Sequence, residues 1–458
     1  MPSGDDLKPR PPLPKGPFLV VGLARSGQAV ARLLAARGER VLGTDSRHPE
    51  GAEGLAEAGV EVHLNMDGTE LLDGIKTVVK SPGVPREAAV IKAARERGIE
   101  VAGELELAWR AIPNRFTGVT GTNGKTTTTE LLGHLYRSAG EPVEVAGNVG
   151  TPLASLALDG VDPEATVVCE CSSFQLEDSS AFAPECAVFL NLAPDHLDRH
   201  GTVENYLAAK LKIFANQGND DVAVYNREQP ELRDRDLGGC ARRVAFCPSD
   251  AADPDCELSR RDEVIFYGDE PLVEVGELQL LGAHNVANAM AAAAAALVAG
   301  LGVDAVREGL RSFEGIPHRL ERVREHGGVL YVNDSKATNV ASALAGIEAF
   351  EGGVHVILGG SPKGETFERL VPAVRDRCAA VYLIGEAAPR LAEDLVAVAR
   401  EGLDVLDSAT LERAVTEAAA RAQPGEVVLL SPACASFDQF TDFEARGDRF
   451  RELVGELS

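Results

Sequence analysis

Apolar runs of strand length alternate with amphipathic runs of helix length along almost the whole chain. This alternation commits it to α/β architecture with largely parallel sheets. Residues 18–22 (FLVVG) read as a strand, 26–38 as a helix with Val30, Leu33 and Leu34 on one face, and 40–44 as a second strand ending at Asp45. Breaks near Arg110, ahead of Pro113-Asn114, and at Gly315-Ile316-Pro317 divide the pattern into three domains. The expected extents are 1–110 for a Rossmann-like N-terminal domain, 111–315 for a central P-loop domain, and 316–458 for a C-terminal Rossmann-like α/β domain. Strands are expected at 166–170, 187–192, 222–225 and 264–267 in the middle domain, and at 330–333, 354–358, 381–384 and 427–430 in the last.

Composition narrows the function classes. Acidic residues outnumber basic ones 71 to 45, and the net charge of −26 is a poor match for nucleic acid or an anionic membrane surface. The most apolar stretch, 289–299, is alanine-rich and far shorter than the roughly 20 residues a membrane-spanning helix needs. Residues 1–15 are polar and proline-rich, without the apolar core of a signal peptide, and are expected to fray. The eight cysteines show no Cys-x-x-Cys spacing and several lie in apolar runs. Free thiols in a reducing cytoplasm are therefore expected, rather than a disulfide framework or a zinc site.

The segment Thr120-Gly121-Thr122-Asn123-Gly124-Lys125-Thr126 joins a strand to a helix, with Thr127 next in the first turn. Glycines let backbone N–H groups curl around phosphate oxygens, and the helix N-terminus adds partial positive charge. Lys125 supplies a cation for terminal phosphates, and the Thr126 hydroxyl can ligate Mg²⁺. The competing reading, a helix-capping turn with a solvated lysine, leaves the agreement of loop, lysine, hydroxyl and flanking elements unused. A phosphate loop does not by itself say what the phosphate energy drives.

Gly22, Ala24 and Gly27 occupy the three positions of a G-x-G-x-x-G turn, with Asp45 closing the following strand. Ala24 adds a methyl where a dinucleotide pyrophosphate needs close backbone approach, so a nicotinamide cofactor fits less well than another nucleotide, such as a uridine diphosphate sugar. Simple helix–sheet packing by two glycines is the remaining alternative. Glu170 ends its strand at the carboxyl edge, where open-sheet active sites lie, and suits Mg²⁺ as a hard oxygen ligand. His196, in Asp195-His196-Leu197-Asp198-Arg199-His200, is expected at the same edge as a metal or substrate contact. Lys210 stays open between a solvated helix lysine, a cation for an anionic substrate, and a carbamate offering oxygens to a metal.

The blocks TGTNGKTTT (120–128), CECSSFQLE (169–177), DHLDRHG (195–201), GAHNVANA (282–289), GIPHRLE (315–321), NDSKATN (333–339) and SPACASFDQF (431–440) together resemble the Mur ligase family over nearly the whole chain. The last two blocks look like its D-glutamate-adding branch. The resemblance implies ATP-dependent addition of D-glutamate to UDP-N-acetylmuramoyl-L-alanine through an acyl phosphate, in cytoplasmic peptidoglycan precursor synthesis, by a monomer. It implies a UDP-substrate domain, a central ATP-binding domain and an amino-acid-binding domain that closes over it. Gly121, Thr122, Asn123, Gly124, Lys125, Thr126 and Thr127 would hold ATP phosphates, with Asn285 and Asn288 near the adenine and Asp334 on the ribose. Thr126 and Glu170 would share one Mg²⁺; His196 would ligate a second, with Lys210 carbamylated. His318 and Arg319 would sit at the hinge, where Arg319 reaches phosphate. Ser26, Asp45, Ser46, Arg47 and Asn148 would contact the sugar nucleotide, and Thr338, Lys363, Ser436 and Phe443 would hold D-glutamate. The first loop, GLARSG, is less glycine-rich than the family's version. Lys125, Glu170, His196, Lys210 and Arg319 are the expected catalytic set. The alternatives are another Mur-type or folylpolyglutamate-type ligase, a P-loop NTPase without ligase chemistry, and a nicotinamide oxidoreductase.

Overall fold

The computed structural model describes residues 8–457 apart from 251–254, 363 and 365. The chain divides into two compact units, Met1–Glu277 with Val286–Arg311, and Leu278–Asn285 with Ser312–Ser458. The first unit carries two sheets. One is a five-stranded parallel sheet in the order Glu61–Leu64, Val41–Asp45, Phe18–Val21, Thr77–Lys80, Glu100–Gly103. This is the doubly wound order in which the first strand sits centrally and the chain turns back beside it. Phe18–Val21 and Thr77–Lys80 are buried along their whole length, as strands covered on both faces must be. The helix Arg25–Ala36 packs Val30, Leu33 and Leu34 inward, the face its spacing predicts.

The second sheet has nine strands, in the order Glu270–Glu274, Val264–Tyr267, Leu258–Arg261, Arg242–Asp250, Val222–Asn226, Cys186–Phe189, Phe116–Thr120, Thr166–Glu170, Val143–Gly147. It is parallel except for the last two hairpin strands at the Glu270 end. One apolar core runs through both sheets, from Phe18, Val30 and Leu34 to Trp109, Phe116, Phe182 and Phe189. The second unit holds a six-stranded sheet in the order Glu321–His326, Val329–Asn333, Val427–Leu430, Val354–Gly359, Cys378–Ile384, Asp404–Ala409, with only the first edge antiparallel. Among the described residues no helix is long and apolar enough to cross a membrane.

Two expectations need correction. Residues 8–15, expected to fray, are packed: the Arg10 guanidinium lies 4.4 Å above the Trp109 ring and donates to the Asn114 carbonyl at 2.7 Å. Lys8 pairs with Asp221, and the Lys15 carbonyl accepts from Thr77 Oγ1 at 2.9 Å. One guanidinium over aromatic rings, an ion pair and hydrogen bonds to backbone carbonyls hold this segment, and hydrophobic periodicity carries no trace of them. The second correction is that Cys247, in the strand Arg242–Asp250, is joined as a disulfide to Cys256, which lies just ahead of the strand Leu258–Arg261, while Cys169, Cys171, Cys186, Cys240, Cys378 and Cys434 are free.

Candidate active site

Phe116–Thr120 is buried in the nine-stranded sheet between Cys186–Phe189 and Thr166–Glu170, and delivers the loop 121–124 to the carboxyl edge, where the helix Lys125–Ser138 begins. Gly124, at the N-cap, has φ +81°, and a Cβ there would collide with the Asn288 side-chain amide. Only glycine allows both the left-handed turn and that approach. Gly124 makes no side-chain cap hydrogen bond at this N-terminus, and a helix N-terminus of this kind offers its first N–H groups to an anion. The Lys125 ammonium folds over the loop, donating to the carbonyls of Gly121 (3.1 Å) and Thr122 (2.8 Å). Thr122 and Asn123 are tied to Asn191 on the next strand end: Thr122 N donates to Asn191 O at 3.0 Å and Asn123 N to Asn191 Oδ1 at 2.9 Å.

Glu170 pairs with Val119 across the sheet, which puts its carboxylate one strand from the loop. It is 2% exposed; Oε1 accepts from Asn148 Nδ2 at 3.0 Å, and Oε2 is buried with no hydrogen-bond partner. A buried carboxylate oxygen without a donor is costly, and a cation would relieve it. The helix Val203–Ala215 then brings Lys210 to the loop. Lys210 is 1% exposed, donates to the Gly121 carbonyl at 2.6 Å and lies 4.6 Å over the Tyr206 ring. Burial, with the Lys125 charge as the second cause, brings its pKa down from 10.5 to about 7. The solvated-lysine alternative is therefore excluded.

His196 is the N-cap of the short helix Leu197–His200, at φ +51°. Its ring lies 4.8 Å from Phe174 and 6.2 Å from Tyr206, with Asp195 Oδ2 3.5 Å from Nε2. Tyr206 also meets Thr122 Oγ1 at 3.3 Å, so His196, Lys210 and the loop share one neighbour. In the five-stranded sheet, Asp45 closes its strand with both oxygens engaged: Oδ2 accepts from Leu23 N at 2.8 Å and Oδ1 from Arg47 N at 2.9 Å. Its carboxylate thus shapes the glycine loop. A Cβ on Gly27 would strike the Gly22 carbonyl, which explains those glycines, whereas Ala24 points outward as the N-cap of its helix. Ser26 is half-buried beside this loop; Ser46 and Arg47 are exposed.

In the second unit, Asp334 is buried and accepts from Ser431 Oγ at 2.7 Å and Leu320 N at 3.2 Å; burial pushes its carboxyl up to about 7. His318, at φ +64°, contacts Asn333 Nδ2 through Nδ1 at 3.0 Å and sits 6.0 Å from the Phe443 ring. Arg319 and Ile316 form an isolated bridge beside it. Asn285 Nδ2 donates to the Leu281 carbonyl at 2.6 Å. Thr338 N donates to the Lys336 carbonyl at 2.9 Å, and Ser436 is buried. Lys363 lies outside the described residues.

Two residues outside the expected set organise this region. Arg446, 1% exposed, donates to Ser335 Oγ (2.9 Å) and to the carbonyls of Ser335, Cys434 and Ala435, which clamps the segments carrying Thr338, Ser436 and Phe443. Lys336 holds its ammonium 5.7 Å over Phe443. Its place inside NDSKATN was an available signal; nothing in the sequence marks Arg446 as buried.

Three family models match the chain: the Mur ligase MurD-like N-terminal domain at 17–103, the Mur ligase middle domain at 119–296, and the Mur ligase glutamate ligase domain at 318–434. Among curated relatives, the UDP-N-acetylmuramoylalanine–D-glutamate ligase of Acidobacterium capsulatum is 41% identical, with 95% of each chain covered. That of Salinibacter ruber is 42% identical over 96% of this chain and 97% of its own. Of solved structures, UDP-N-acetylmuramate-alanine ligase from Thermotoga maritima superimposes with a TM-score of 0.58 at 18% identity, covering 96% of this chain and 99% of that one. MurF ligase from the same organism, in complex with ADP, does so with 0.55 at 18%, covering 99% and 96%. With all three domain models matched in order and relatives above 40% identity over nearly the full length, the chain belongs to the Mur ligase family.

Proposed function

We propose that this protein is an ATP-dependent amide ligase that adds D-glutamate to UDP-N-acetylmuramoyl-L-alanine in cytoplasmic peptidoglycan precursor synthesis, acting as a monomer. The observation that carries the reading is the pairing of a buried amine of depressed basicity, Lys210, with an unpartnered buried carboxylate oxygen of Glu170 at the edge of a phosphate loop. The relatives named above support the choice of substrates.

A free carboxylate does not condense with an amine in water, so it must first be activated. The alanyl carboxylate attacks the γ-phosphate of ATP, ADP leaves, and the D-glutamate amine then displaces phosphate from the acyl phosphate. All three reactants are anionic, so the chain's task is to hold negative charges together and in line. Lys125 and the first N–H groups of its helix bind the phosphates. Asn148 orients Glu170. A lysine with a pKa of about 7 is mostly the free amine at pH 8, the form that adds carbon dioxide to become a carbamate. Among the described residues no three His, Cys, Asp or Glu side chains converge as a ready metal site. Mg²⁺ would therefore be held by Glu170 and Thr126, and by His196 with a Lys210 carbamate, each alongside phosphate or substrate oxygens. Bound there, Mg²⁺ would neutralise phosphate charge.

In the second unit Asp334 would accept from the ATP ribose and Arg319 would reach phosphate. Thr338, Ser436, Phe443 and Lys363 would position D-glutamate. The five-stranded sheet, through Ser26, Asp45, Ser46 and Arg47, would carry the uridine nucleotide, the ATP phosphates would fall to the nine-stranded sheet, and the domain extents would be 1–110, 111–315 and 316–458. Incubation with ATP, UDP-N-acetylmuramoyl-L-alanine and single amino acids, read by mass spectrometry, tests the reading. A joined product with D-glutamate alone is expected; a product with another amino acid, or ATP consumption without any joined product, overturns it.

A further inference from the structure

We infer that Arg199 is a positioning residue that couples the glycine loop of the five-stranded sheet to His196, with buried Lys80 as its anchor. The inference rests on the reading above for what that loop and His196 bind. The contacts form one unbroken route within the first unit. Ser81 Oγ donates to the Gly22 carbonyl at 2.6 Å, and Val84 N to the Ser81 carbonyl at 3.0 Å, which closes a turn that leans on the loop. The Val84 carbonyl then accepts from two cations at once, Lys80 Nζ at 2.9 Å and Arg199 Nη2 at 2.8 Å. Arg199 Nη2 also lies 2.8 Å from Glu177 Oε1, and Lys80 Nζ lies 2.6 Å from Asp178 Oδ2. The flat face of the Arg199 guanidinium covers Phe174 at 4.5 Å. Phe174 in turn meets the His196 ring at 4.8 Å and stacks on His200 at 5.4 Å.

Chemistry makes each link specific. Lys80 is 0% exposed, and a buried ion pair is often replaceable by apolar side chains without loss of stability. Stability alone therefore does not explain a lysine here. Lys80 and Arg199 share two acceptors, the Val84 carbonyl and Glu177 Oε1 (3.4 Å from Lys80 Nζ), and these tie the end of the strand Thr77–Lys80 to the loop bearing His196. A single Nη2 reaches both acceptors in the plane of the guanidinium, and that leaves the flat face free to pack on the aromatic ring, which the ammonium of a lysine does not offer. His196 itself is half-exposed in a left-handed backbone, and Phe174 and Tyr206 are its ring contacts, so a shift of Phe174 moves it.

Nine histidines make ¹⁵N-histidine labelling of the full chain practical, with the His196 signal identified by its loss in His196→Gln. Titration with UDP, without ATP or Mg²⁺, is expected to shift the His196 ring resonances of the wild type. In Arg199→Lys, and in Phe174→Leu should the arginine variant fail to fold, the shift is expected to shrink at least fivefold, with UDP affinity by calorimetry within about threefold of wild type. The double variant Lys80→Met/Asp178→Leu should keep the wild-type urea midpoint yet show the same loss. Undiminished shifts in the variants, or no His196 response in a wild type that binds UDP, overturn the coupling. A wild type that does not bind UDP overturns the reading of the loop, and the coupling with it.

Discussion

Replacing Lys210 by methionine should make the protein more stable, and by an amount that depends on pH. A lysine whose pKa falls from 10.5 in the unfolded chain to about 7 in the folded one is disfavoured by burial as the ammonium. The drop converts, at about 1.4 kcal/mol per pH unit, to about 5 kcal/mol. The sign follows from proton counting. Between pH 7 and 10.5 the unfolded chain binds a proton that the folded one has released, so wild-type stability rises with pH across that window. The full cost is present below pH 7 and fades toward 10.5. Methionine has no such cost but forfeits the hydrogen bond to the Gly121 carbonyl, about 1 kcal/mol at every pH. The advantage of Lys210→Met should thus be about 3 kcal/mol at pH 7, where half the folded lysines are already neutral, and about 1 kcal/mol at pH 9. Trp109, the sole tryptophan, lies in the same compact unit as Lys210, so its fluorescence during urea unfolding in carbonate-free buffer reads the right transition. Added bicarbonate should stabilise the wild type and leave the variant unmoved. A stability difference that is flat with pH, or that widens as pH rises, would refute the placement of the amine.

Lys125→Ala should cut product formation on the order of 10³-fold even at saturating ATP, as loss of a preorganised charge at a transferring phosphoryl group does; turnover near the wild-type rate removes the loop from the mechanism. Asp334, raised to about 7 by burial, is a carboxylate above that pH and takes up a proton below it. The wild-type KM for ATP should therefore rise as pH falls from 8 to 6, whereas Asp334→Asn should start about tenfold higher and stay level, the loss of one charged hydrogen bond; parallel pH profiles contradict this. Arg10→Ala removes the cation over Trp109 and leaves Glu185 without its ion-pair partner, which should cost about 2–3 kcal/mol and shift Trp109 emission to the red; an unchanged midpoint and spectrum return the segment 8–15 to a passive role.

Central parallel strands were legible because burial on both faces demands an apolar run. Thr166–Glu170 and Val427–Leu430 fall on the expected residues. Val264–Tyr267 does so too, although it is antiparallel, next to the sheet edge and buried only at Ile265, because its four residues form a short apolar run. Edge and polar-fronted strands were not: Glu61–Leu64 exposes its first residue and half-buries the rest, and Arg242–Asp250 opens on two arginines, so neither shows a run to read. The phosphate loop was legible for a local reason, since strand, glycines, lysine and helix are contiguous. Lys210 was not. Its proximity to Gly121 comes from the docking of Val203–Ala215 against the strand ends, and sequence chemistry alone left three roles open. The resemblance chose among them, and the depressed basicity agrees with that choice.

A methionine would fill the Lys210 site at lower free energy, and a cation meant to face phosphate would keep its charge, as an arginine does under burial. A lysine that is buried and only about half charged at pH 7 serves neither packing nor charge well. Its advantage is a nucleophilic nitrogen pair available near neutral pH. Glu170 makes the complementary case: one oxygen is held by Asn148 and the other is left without a donor, an arrangement that is unfavourable until a cation arrives. Two destabilised groups beside one phosphate loop would each be relieved if the amine became a carbamate and the two groups then each helped to hold a divalent ion, Glu170 with Thr126 and the carbamate with His196. Each defect taken singly is a liability to folding. Their coincidence at the end of Phe116–Thr120 is the observation on which the proposed carbamate and the proposed metal ligands rest.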